Sequence, residues 1–185
     1  MRVLAIPGSV RAGSLNARLL RHVAEQAPAG VEVEIYDALK SVPPYDEDDD
    51  TEAPPAAVAE LRDAIDRADA ILVATPEYNH SIPGVLKNAL DWASRPLATN
   101  PIRNKPAAVV GASTGAFGAV WAQAELRKVL SAIGARVLEE DLPVGLAATR
   151  FGEDGLLADE ELRARLHTLV DDLVAAVDDR LATAA

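Results

Sequence analysis

Cysteine is absent from the chain. That excludes disulfides, thiolate nucleophiles and cysteine-ligated metals, and it suits a cytoplasmic protein. A run of eighteen apolar residues is missing too, so no membrane span is expected. No basic stretch followed by an apolar core and a small-residue cleavage site opens the chain; residues 2–7 are too short for that and read as a strand, so secretion is not expected. Neither G-x-G-x-x-G nor G-x-x-x-x-G-K-[ST] occurs, which disfavours a dinucleotide-binding Rossmann site and a P-loop NTPase. Positive charge is scarce: 18 Lys and Arg face 29 Asp and Glu, a formal net charge of −11. That balance argues against nucleic acid as a partner. No two of the 3 histidines have ligand spacing, so no metal site is expected.

What remains is a chain of 185 residues, 49% of them hydrophobic. This length and composition predict one domain, residues 1–185, with a full core. Residues 3–6, 107–111 and the centre of 69–75 (Ala70–Ala74) are continuously apolar, the pattern of strands covered on both faces. Residues 31–36 alternate Val and Glu and read as a half-exposed edge strand. A short fifth strand begins at Arg136–Leu138. Helical stripes fall between them. Leu15, Leu19, Val23 and Ala27 lie at four-residue steps, and Val58, Leu61 and Ile65 mark a helix over 56–67. Leu86, Leu90 and Ala93 mark a helix through Ser94 with Pro83 in its first turn, and Lys87 and Asp91 are spaced to pair on its surface. A fourth helix runs to about Ile133, with Gly134 as its stop. A fifth spans 158–181, with Leu162, Leu166, Leu169, Leu173 and Val177 inward.

Five strands alternating with five helices predict an α/β fold: a doubly wound, five-stranded parallel sheet with helices on both faces. The flavodoxin-like order 2-1-3-4-5 fits five strands. In that order the turns after strands one, three and four meet at the carboxyl edge of the sheet. The segment Ala38–Pro55, with its acidic run Asp46–Asp50, lies to the side. Counted from Asp46, the sixth and twelfth positions are Thr51 and Ala57 rather than Gly and Glu, so the run reads as a solvated loop and not a calcium loop.

The three converging turns carry the polar chemistry. The first holds Ser9, Arg11, Ser14 and Asn16 at a strand-to-helix junction, where backbone N–H groups and the helix dipole favour a phosphate. Ser14 also suits the N-cap of the helix. The second, Pro76-Glu77-Tyr78-Asn79-His80-Ser81, offers rigid prolines, a flat side chain and backbone amides. The third, Ser113-Thr114-Gly115-Ala116-Phe117-Gly118, has glycines that let a ligand approach the backbone. Together they suit a mononucleotide with a wide flat ring. A phosphorylated receiver domain of this fold needs acidic residues where this chain has Pro7-Gly8-Ser9.

Gly8-Ser9-x-Arg11-x-x-Ser14-x-Asn16 resembles the phosphate loop of the NAD(P)H-dependent FMN reductase family, whose members include quinone, chromate and azo reductases. Pro76-Glu77-Tyr78-Asn79-x-Ser81-x-Pro83-Gly84-x-Leu86-Lys87-Asn88-Ala89-x-Asp91-Trp92 is similar to its second hallmark, and Ser113-Thr114-Gly115-x-x-Gly118 to its third. The resemblance implies FMN, with its phosphate held by Ser9, Arg11, Ser14, Leu15 and Asn16. Pro76, Glu77, Tyr78 and Asn79 would line the ring, and Ser113, Thr114 and Gly115 would flank its other side. It further implies a ping-pong reaction in which NADPH or NADH gives hydride to flavin N5, and quinones, chromate, azo compounds or free flavin take it. A homodimer or homotetramer is expected, and no side chain is expected to act as catalytic acid or base.

Competing expectations attach to single residues. Glu77 is expected to make a structural hydrogen bond, or to reach across a subunit interface, rather than to donate a proton. His80 is either a nicotinamide contact or an exposed spacer, and His22 and His167 are expected on polar helix faces. Trp92 and Trp121 are either interface anchors or core filling. Two functions rival the reductase: a flavodoxin-like electron carrier, which the negative charge favours, and a flavin-dependent sensor.

Overall fold

The computed structural model describes residues 1–184. Strand β1 (Arg2–Pro7) leads into helix α1 (Leu15–Glu25), then β2 (Glu32–Ile35), α2 (Ala56–Arg67), β3 (Ala70–Ala74) and α3 (Gly84–Ala93). Then come β4 (Pro106–Ala112), α4 (Val120–Ala132), β5 (Arg136–Val144) and α5 (Glu160–Ala184). The five strands form one parallel sheet in the order β2-β1-β3-β4-β5, as the alternation of elements predicts.

The continuous apolar runs have a direct cause. Successive side chains of a strand point to opposite faces, and here both faces are covered. Leu4, Ile6, Ile71, Val73 and Val109 pack with Val58, Leu61, Leu86 and Leu126 of α2, α3 and α4. Val3, Ala5, Leu72, Ala108 and Val110 pack with Leu19, Val23, Leu166 and Leu173 of α1 and α5. Strand ends are level: Pro7 pairs with Ala74, and Ala74 with Val110. The turns after β1, β3 and β4 therefore emerge side by side.

Several boundaries differ from expectation, α5 for one spanning Glu160–Ala184 rather than 158–181. β5 runs nine residues, to Val144, and is not a short strand. It is an edge strand whose Glu139-Glu140-Asp141 stretch faces partly outward, and its pairing slips register between Ala107 and Val109. Pro83 stands outside α3 as its extended N-cap residue, φ −58° and ψ 139°. α4 stops at Gly134, φ +98°, as expected.

The loop over 38–55 is less solvated than its charge suggests. Asp50 pairs with Arg62 of α2 at 2.8 Å, with both side chains only 13% exposed. Arg62 also donates to the carbonyl of Trp92 at 3.0 Å. Trp92 is fully buried, so it fills core, and its Nε1 donates to the Pro43 carbonyl at 2.9 Å. Asn88 Nδ2 donates to the same oxygen at 2.8 Å, while its Oδ1 accepts from Tyr45 N–H at 2.7 Å. Two residues of the second sequence hallmark, Asn88 and Trp92, thus hold a neighbouring loop against α3.

Candidate functional site

The first turn is built tightly beneath and left open above. Gly8 N–H continues the ladder to the Ala74 carbonyl at 2.8 Å. A Cβ on Gly8 would meet Leu86 Cδ2 at 2.9 Å and the Ala74 oxygen at 3.2 Å, so only glycine lets β1 pass this close to α3. Ser9 and Ser14 are buried. Ser14 caps α1 as predicted, its Oγ accepting from Ala17 N–H at 3.2 Å, which leaves its hydroxyl proton free to donate. Arg11 is exposed, and its guanidinium lies over Gly13 of the same turn, Nη1 being 3.4 Å from where a Cβ there would stand.

The first N–H groups of a helix have no partner within it. Here no hydrogen bond from the N–H of Leu15 or Asn16 forms among the described residues. Two buried hydroxyls, two free amides, one guanidinium and no carboxylate in the turn fit a phosphate.

Asn16 departs from expectation. Its Nδ2 donates to the Ala112 carbonyl and its Oδ1 accepts from Ala112 N–H, both at 2.9 Å, in a buried setting. The side chain expected on the phosphate instead ties α1 to the end of β4; only its backbone N–H faces the turn.

The second turn is a two-residue hairpin. Tyr78 and Ser81 exchange both backbone bonds, at 3.0 and 3.1 Å. Asn79 and His80 between them hold φ +53° and +59°. That double left-handed turn is what closes a two-residue loop; Asn tolerates it, and His does so at a cost. Tyr78 is 51% exposed, so its ring stands at the mouth. Glu77 turns the other way. Its Oε2 accepts from Trp121 N–H at 3.1 Å and Ala122 N–H at 3.2 Å, the structural role expected of it. His80 is exposed, 3.6 Å from Glu77 Oε1, and sits edge-on to Trp121 at 5.0 Å. Trp121 is itself exposed, edge-on to Phe117 at 5.2 Å.

The third turn rests on the residues that follow β5, which sequence reasoning missed. Leu146 N–H donates to the Gly115 carbonyl and Ala147 N–H to the Ser113 carbonyl, each at 2.9 Å. Gly118, φ +59°, lies so close to β5 that a Cβ would stand 2.5 Å from Val144 N. Gly145 leaves no more room, at 2.1 Å from the Ala116 oxygen. A glycine directly after the last strand was the available signal. The N–H groups of Thr114 and Gly115 donate to nothing among the described residues, and both residues are exposed.

His22, expected on a polar face, is buried instead, and its Nδ1 accepts from Leu157 N–H at 3.3 Å. Burial, aided by the charge of Arg163, holds its pKa below the usual histidine value. His167 is exposed beside Asp171 at 3.0 Å. No group of three or more His, Asp or Glu side chains suited to a metal occurs among the described residues, and none of their helices is long and apolar enough to cross a membrane.

Residues 1–150 match the family model described as NADPH-dependent FMN reductase. An NAD(P)H-dependent FMN reductase of Pseudomonas aeruginosa is 42% identical over 164 residues, 88% of each chain. A 2-hydroxy-1,4-benzoquinone reductase of Burkholderia sp is 36% identical over 97% of this chain and 98% of the relative. Among solved structures, the flavoenzyme NAD(P)H:(acceptor) oxidoreductase FerB from Paracoccus denitrificans superposes with a TM-score of 0.88 at 36% identity, covering 97% of this chain and 98% of that one.

Proposed function

This chain belongs to the NADPH-dependent FMN reductase family, and from that premise we propose that it binds FMN across its three converging turns and reduces quinones or similar small acceptors at the expense of NADPH or NADH. The observation that carries the reading is the first turn: buried Ser9 and Ser14, the free N–H groups of Leu15 and Asn16, and Arg11, with no acidic side chain among them. These would hold the FMN phosphate. Bound FMN would supply the redox chemistry, N5 taking hydride from the reduced nicotinamide and passing it to the acceptor after the nicotinamide has left, a ping-pong sequence.

The protein's part is binding and orientation. Pro76, Tyr78 and Asn79 line one side of the ring in this reading, with the N–H groups of Glu77 and Asn79, unpaired among the described residues, as donors. Ser113, Thr114 and Gly115 flank the other side, and the free amides of Thr114 and Gly115 favour negative charge on the ring on the logic of an oxyanion hole. No acid or base is required, and the Glu77 carboxylate is already spent on two amides.

The chain acts as one FMN-binding domain over residues 1–185 in this reading, in the cytoplasm and as a homodimer or homotetramer. Val10, Tyr78, Phe117, Trp121 and Leu146 are large apolar side chains exposed around the mouth, and such surface supports burial against a second copy.

An anaerobic NADPH titration of the FMN-loaded protein, followed by the visible flavin bands and repeated with NADH, tests the function. Rapid bleaching reversed by a quinone is expected. A bound flavin that neither nucleotide bleaches would overturn the reductase and leave the electron carrier or sensor.

A further inference from the structure

Helix α4 begins without a cap of its own. Gly118 and Ala119 precede it with consecutive left-handed backbones, φ +59° and +61°. Ala119, in the N-cap position, has no side-chain oxygen to offer. Gln123 N–H makes the first bond back to the Ala119 carbonyl, at 3.0 Å, and Val120 N–H reaches only Phe117 O at 3.3 Å. The N–H groups of Trp121 and Ala122 would be orphans. Both are satisfied by one atom, Oε2 of Glu77, which arrives from 44 residues away in sequence on the opposite lip of the cradle. A carboxylate at this end of a helix gains from the dipole as well as from the two charge-assisted bonds.

Both ends of this link are stiff. Glu77 follows Pro76 and precedes the closed Asn79–His80 hairpin, and α4 follows a turn packed on β5 so closely that Gly118 cannot carry a Cβ. Its side chain is 15% exposed, so the bonds are partly sheltered from water. The rings of His80, Trp121 and Phe117 ride on the same joint.

We propose that Glu77 is a positioning residue that sets the gap between the second and third turns by capping α4 from across the site. This rests on the FMN reading above and deepens it. The residue would neither touch the reacting atoms nor move a proton. Its effect would be to present the amides on each lip at a fixed separation before the ring enters, lowering the ordering cost of binding.

The test compares FMN dissociation constants, by quenching of flavin fluorescence, for the wild type, E77A, E77D and E77Q, together with amide hydrogen exchange of the flavin-free chains. E77A should raise the constant about tenfold, the factor for one lost cap. E77D keeps the charge but is one methylene short of α4, and should lose nearly as much; it carries the test if E77A fails to fold. E77Q keeps an acceptor at full reach and should recover most of the affinity. Exchange over residues 113–122 should quicken in E77A without flavin.

A purely structural role would lower the melting temperature and leave FMN affinity unmoved well below it. Wild-type affinity in E77A and E77D would overturn the assignment of Glu77. A wild-type chain without FMN affinity would overturn the functional reading and this one with it.

Discussion

Arg11 brings a full positive charge to a turn that otherwise offers neutral donors. Arg11→Ala should weaken FMN binding by about 1.5–3 kcal/mol, the worth of a hydrogen bond to a charged group. A fluorescence titration checks it, and an unchanged constant would remove Arg11 from the site. The Asn16 side chain, unlike its backbone N–H, is tied up within the fold. Asn16→Ala leaves a buried N–H and a buried carbonyl of Ala112 unpaired, and should cost about 2–4 kcal/mol in denaturant unfolding. His22 predicts a pH dependence. Its folded pKa lies below the unfolded 6.5, so the unfolded chain binds more protons in acid. The stability it contributes is therefore complete above pH 6.5 and is lost as pH falls through the lowered folded value. The geometry agrees, since Nδ1 must stay unprotonated to accept from Leu157. Unfolding free energies at neutral and mildly acidic pH should converge less in the wild type than in His22→Gln, and equal slopes would deny His22 that role.

Elements are joined here by residues whose motif suggests ligand contact but whose bonds are architectural. Asn88 and Trp92 share the Pro43 carbonyl and draw the acidic loop onto α3. Asn88→Ala should destabilise the fold by about 1–3 kcal/mol, because Tyr45 N–H loses its acceptor, while the rate of flavin reduction by NADPH stays within about twofold. Gly118 sits where the third turn crosses β5. Gly118→Ala forces a side chain onto a left-handed backbone and into Val144 N. Loss of more than about 2 kcal/mol of stability is expected, and FMN affinity should fall with it, because Thr114 and Gly115 lie on the displaced turn. A chain that melts like the wild type would show that β5 yields more easily than its packing suggests.

At the scale of the molecule, the sheet order brings three turns into one cradle, and steady-state kinetics should reveal how the cradle is used. Under the proposed ping-pong sequence, varying NADPH at several fixed quinone concentrations should give parallel double-reciprocal lines. Intersecting lines would mean that both are bound together. The doubly wound sheet, its helices and the three polar turns were legible because periodicity and turn chemistry are local: they depend on residues two to four apart. Only the length of β5 escaped, since three acidic residues on an edge strand mask its apolar face. Tertiary structure decided which polar groups were left for a ligand. Asn16 finds Ala112 at a separation of 96 residues, Glu77 finds Trp121 at 44, Asn88 finds Pro43 at 45 and His22 finds Leu157 at 135. A side-chain amide or carboxylate bonds to whichever backbone group the folded chain brings within 3 Å or so. Neighbours in sequence carry no record of that choice.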